Sequence, residues 1–131
     1  ARLWNNYRTD YRPLVEFAKS HHLPFIATNI PRRYAAMVAR KGLESLDSLS
    51  MEAKKLFMPL PIEVDLKLPA YANMLAMMDT HASNNSAQAA NFAYAQAVKD
   101  ATMAHQIAKY HTKGTLFVHF NGSYHSDNYE S

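Results

Sequence analysis

Near its C-terminal end the chain reads His119-Phe120-Asn121-Gly122-Ser123-Tyr124-His125-Ser126-Asp127, which gathers imidazole, amide, phenol and carboxylate groups into one short run. His125, in a loop beside Tyr124, has three roles open to it: iron ligand, general base, or ordinary surface side chain. Alternation sends His119 to the face opposite Phe120. The Asn121-Gly122 turn lies just beyond the carboxyl end of an apolar run, where open α/β sheets bind their ligands.

A second set lies on the long helical stretch 86–110. At 100° per residue, Phe92, Gln96, Lys99, Asp100, Met103, Ile107 and Tyr110 share one stripe. Such a stripe normally faces a core, yet this one carries an amide, an ammonium and a carboxylate, which are costly to bury unpaired. Two readings stay open. In one, Gln96 or Asp100 binds loop backbone while Lys99 snorkels outward. In the other, Gln96 and Asp100 orient a pocket ligand or a ligating histidine.

Tyr71, Met74, Leu75 and Met78 form a third set on one helical face, with Met77 beside it and His81 just after. Methionine-rich faces serve as adaptable core or partner surface. The sharper alternative is the wall of a haem pocket with Tyr71 or His81 near the iron. A fourth set, Asn29-Ile30-Pro31-Arg32-Arg33, sits at a strand-to-helix junction. It could dock a propionate or phosphate, or simply cap the helix and pair a neighbouring carboxylate.

Positioning these groups requires a helix over 11–20, a buried strand over 25–28, and a second helix that Asn29 caps and Gly42 ends. Ser50 caps a short helix through Phe57, and prolines 59, 61 and 69 punctuate an irregular crossing. Helices follow over 70–78 and 86–110, the second ended by Lys113-Gly114, and then a strand over 115–120. Helix, strand and helix in succession are the grammar of an α/β layer. Two strands make a poor sheet, so the chain reads as the C-terminal part of an α/β protein, or else as a mainly helical domain with a small sheet of its own.

At 131 residues the chain is long enough for a single domain, 1–131, that buries roughly two-thirds of its surface. Apolar residues make up 48% and charged residues 19%, which argues against disorder. The net charge of +3 rests on scattered pairs such as Arg32-Arg33 and Arg40-Lys41, where a nucleic-acid groove needs a broad basic face. No cysteine is present, so thiolate metal sites and cysteine nucleophiles are excluded. There is no G-x-S-x-G, P-loop, H-E-x-x-H or G-x-G-x-x-G signature.

Several of these segments resemble the ChaN-like haem-binding family, described as iron-regulated lipoproteins, in a superfamily with TIKI-type proteases, TraB and erythromycin esterases. The resemblance is carried by Asp10-Tyr11-Arg12-Pro13-Leu14-Val15-Glu16-Phe17-Ala18 and Ile26-Ala27-Thr28-Asn29-Ile30-Pro31-Arg32. It continues in Gln96 with Asp100-Ala101-Thr102-Met103-Ala104, and in Asn121-Gly122 with His125. It implies an α/β fold with a small helical subdomain, and haem as cofactor in uptake or iron homeostasis. Asn29 and Arg32 match the strand-end motif; Gln96, Asp100 and Met103 match the helix motif; Asn121, Gly122 and His125 match the final turn. Ser123-Tyr124 separates Gly122 from His125, where many relatives have the histidine directly after the glycine. The family's N-terminal strand with its Gly-Glu-x-His-type motif has no counterpart here.

The resulting expectation is a haem-binding domain in which His125 or His81 meets the iron, with Tyr124 and Tyr71 as further candidates. Arg32 and Arg33 clamp propionates; Met74, Met78 and Phe92 supply apolar wall; and Asn29, Gln96, Asp100, Met103 and Asn121 complete the site. The rival is a metal-dependent or histidine-based hydrolase, with His125 as base or metal ligand and Asp100 as its orienter. Expected partners are haem, a second copy in a homodimer and the missing N-terminal segment of the parent, with no nucleic acid. By resemblance the parent is a bacterial periplasmic or outer-membrane-associated protein, reaching the membrane only through an upstream lipid anchor.

Overall fold

A computed structural model describes residues 3–79 and 86–126. A π-helical turn, Tyr7–Tyr11, leads into α1, Arg12–Ser20; α2 follows at Arg32–Lys41, and a 3-10 turn at Leu43–Leu46. Then come α3, Met51–Lys54, α4, Pro69–Asp79, α5, Ser86–Tyr110, and a closing 3-10 turn, Ser123–His125.

The α/β architecture expected from the sequence is not what the chain adopts. Among the described residues there is no strand, and the fold is helical. Both runs read as strands, 25–28 and 115–120, keep the period-two exposure of strands: Ile26, Thr28, Phe117 and His119 are half-buried and their neighbours exposed. No ladder hydrogen bond joins them; a side-chain bond from Thr28 Oγ1 to His119 Nε2, at 2.9 Å, spans the two runs. Strand propensity measures fit to a pleated surface rather than a backbone preference, and here no neighbouring ladder completes the surface.

The helices follow local signals more closely. Pro13 sits in the first turn of α1. Pro31 is the N-cap of α2 with no side-chain cap bond, so Asn29, two residues earlier, is not the cap. Gly42 closes α2 at φ 84, with its N–H on Val38 O. A Cβ there would crowd only the movable end of the Glu44 side chain, so it is the positive φ rather than space that calls for glycine. Ser50 Oγ accepts from Ala53 N, capping α3 as its sequence predicts.

The long helix α5 is central because it is apolar on two sides. Ala95 and Val98 join Ile30, Ala35, Val38, Leu46, Phe57 and Met58 in the larger core. Ala93 and Ala97, one turn apart, pack against Tyr71 of α4, with Val64, Leu66 and Leu75 beside them. Alanines at that spacing let α4 approach closely. Thr102, fully buried, back-bonds to Val98 O at 2.7 Å, so its hydroxyl stays satisfied inside the core. No helix among the described residues is long and apolar enough to cross a membrane.

Candidate functional site

Asp100 is the centre of the site. It lies on α5 three residues after Ala97 and is buried. Its two oxygens are held from different parts of the chain. Tyr71 Oη, from α4, donates to Oδ2 at 3.2 Å, and His125 Nδ1, from the closing 3-10 turn, meets Oδ1 at 2.5 Å. A carboxylate can only accept, so a proton sits on Nδ1, and whenever the ring is neutral its lone pair is on Nε2.

The closing turn delivers His125 by local geometry. Asn121 Nδ2 donates to Gly122 O, and the His125 N–H returns to the same Gly122 O, each at 2.9 Å. Ser123 and Tyr124, the pair that separates glycine from histidine, form the 3-10 turn itself. That turn carries the imidazole back to α5, 25 residues away in sequence.

Beside this pair lies a cavity of about 450 Å³, lined by Ala70, Tyr71, Met74 and Met77 of α4, by Phe92, Gln96, Lys99 and Asp100 of α5, and by Tyr124 and His125. Its size falls in the range of small-molecule and cofactor pockets, and its make-up suits one: apolar walls with a few convergent polar groups. Burial, then the Asp100 charge and the hydrogen bond to it, hold the Tyr71 phenol well above its ordinary pKa. Tyr71 is therefore a proton donor that fixes Asp100. Burial lowers the Lys99 ammonium; Asp100 works against that shift and Arg32 with it. His119 is lowered by burial and by the charge of nearby His125.

Of the residues singled out in the sequence, Tyr71, Met74, Gln96, Asp100, Tyr124 and His125 come together around the cavity. Arg32 is exposed and enters only through its field at Lys99. Arg33 is exposed too, bonded to the Tyr34 hydroxyl at 3.0 Å and lying over that ring. Asn29 is exposed, Asn121 braces the turn, and Met103 is buried away from the lining. His81 and the Met78 side chain lie outside the described residues. Lys99 also lines the cavity; of the two readings open for the stripe, only the structural one turned it outward, and here it lies with Phe92, Gln96 and Asp100.

No curated protein and no solved structure gives a significant match to the chain. One family does, over residues 1–131: the family described as haem-binding uptake, Tiki superfamily, ChaN. The match spans the whole chain, α5 and the closing turn included, and the chain belongs to that family.

Proposed function

We propose that this chain binds haem in the cavity between α4, α5 and the closing turn, in haem uptake or iron homeostasis, where His125 Nε2 would hold the iron. The observation that carries the reading is the Asp100–His125 pair at the wall of an apolar pocket. A ligating histidine needs its other ring nitrogen tied to an acceptor, which fixes the tautomer and raises ligand basicity. Asp100 does this, and Tyr71 holds Asp100 in turn. Met74, Met77 and Phe92 supply the apolar surface that a porphyrin face requires. Haem, when bound, brings the redox and ligand chemistry of its iron; the chain's part is to place the imidazole and the walls. The family's uptake role fits a periplasmic or outer-membrane-associated setting.

Titration with haemin tests this. Wild-type protein is expected to give a saturable Soret shift, and His125→Ala to weaken binding about 100-fold, or roughly 2.7 kcal/mol. His119→Ala serves as the control that leaves binding in place. No Soret shift, or the same affinity in His125→Ala, would contradict the assignment.

The same Asp100–His125 pair favours a second reading, a hydrolase with His125 as general base and Asp100 as its orienter. It predicts turnover of an ester or peptide that His125→Gln abolishes, without any requirement for haem.

A further inference from the structure

Hydrogen-bond donors in the cavity are left over. Both Asp100 oxygens are occupied, by His125 and by Tyr71. Lys99, half-buried in the same lining, gives one N–H to Gln96 Oε1 at 2.8 Å. An ammonium carries three donors and a primary amide two. Among the described residues, the other donors of Lys99 and the Gln96 amide N–H groups meet no acceptor. Lys99 precedes Asp100, and Gln96 stands one helical turn earlier, about 6 Å along the axis. Both donors therefore lie within one turn of the point where His125 is anchored, on its N-terminal side. Their surroundings favour an incoming anion: burial strips water from the ammonium, and Arg32 adds positive potential.

We infer that Lys99, with the Gln96 amide beside it, seats an ionised carboxylate on the rim of the ligand, so that the pocket selects a propionate-bearing tetrapyrrole over its neutral ester. The inference rests on the haem-binding reading and adds to it the chemical class that the pocket accepts. Arg32 contributes field rather than contact, because it is exposed and absent from the lining.

The test is a parallel absorbance titration with haemin and haemin dimethyl ester, in one detergent-containing buffer at neutral pH. Wild type is expected to prefer the free acid by about tenfold, the ratio that one well-formed charged contact supplies. Lys99→Met should bind both compounds alike, at the level of the ester, while Lys99→Arg keeps the preference. Equal affinities in wild type, or a preference that survives in Lys99→Met, would overturn the carboxylate seat and leave haem binding standing. Failure of wild type to bind either compound would remove the haem-binding reading and this inference with it.

Discussion

The two sides of α5 are built on opposite principles. Toward α2 and the 3-10 turn the helix presents Ala95 and Val98 to Val38, Leu46, Phe57 and Met58, an apolar contact whose one buried hydroxyl, on Thr102, is satisfied within the helix. Toward α4 and the closing turn it presents Phe92, Gln96, Lys99 and Asp100, and the Asp100 carboxylate is matched by residues from elsewhere in the chain. The first side depends on volume, because close-packed interiors register the loss of even one methylene. The second depends on placement, because a buried carboxylate is tolerable only with its partners in reach. Stability is concentrated on one side of a single helix and chemistry on the other.

The largest effect expected from breaking this contrast is on the packed side. Leu46→Ala removes a fully buried side chain and should cost about 3 kcal/mol of stability, seen as a lower urea midpoint. The haemin affinity of the folded protein should stay close to wild type. A comparable loss of affinity would mean that the two sides are not separate.

A smaller effect sharpens the polar side. The unfolded chain takes up a proton on His119 near its ordinary 6.5, while the folded chain resists it, chiefly through burial. Stability should therefore fall as pH drops below about 6.5. His119→Gln should flatten that dependence, keeping a hydrogen-bonding group opposite Thr28. Melting temperatures at pH 7 and pH 5 read the difference, and identical slopes in the two proteins would refute it.

The smallest effect lies on neither side. Lys55 pairs with Glu52 on the surface at 2.9 Å, both side chains well exposed. Lys55→Ala should move stability by less than about 1 kcal/mol, since screened surface pairs contribute little. A larger change in the thermal melt would show that α3 matters more to the packed side than its exposure suggests.

Much of this was legible locally. Ser86 and the Lys113-Gly114 stop bracket α5, and its 3.6-residue period put Phe92, Gln96 and Asp100 on one stripe before any contact was known. Gly42 and Ser50 marked helix ends through backbone chemistry that a few neighbouring residues determine. What remained hidden was long-range. The pairing of Asp100 with His125 was among the sequence expectations and is made; the 3-10 turn that delivers the imidazole is what no pattern in Ser123-Tyr124 announces. Runs 25–28 and 115–120 have strand-like alternation, but a strand exists only where a neighbour supplies the ladder. Asn29 is a good cap by type, yet Pro31 fixed the start of α2 two residues later. The direction of Lys99 was ambiguous because a long cationic side chain can leave a stripe by bending outward.

The most direct measurement is a double-mutant cycle on haemin affinity over Asp100→Asn and His125→Ala. If Asp100 acts by holding His125, Asp100→Asn should cost about tenfold or more in wild type and almost nothing once His125 is gone. Losses that simply add, or an Asp100→Asn protein that binds haemin as tightly as wild type, would contradict the account.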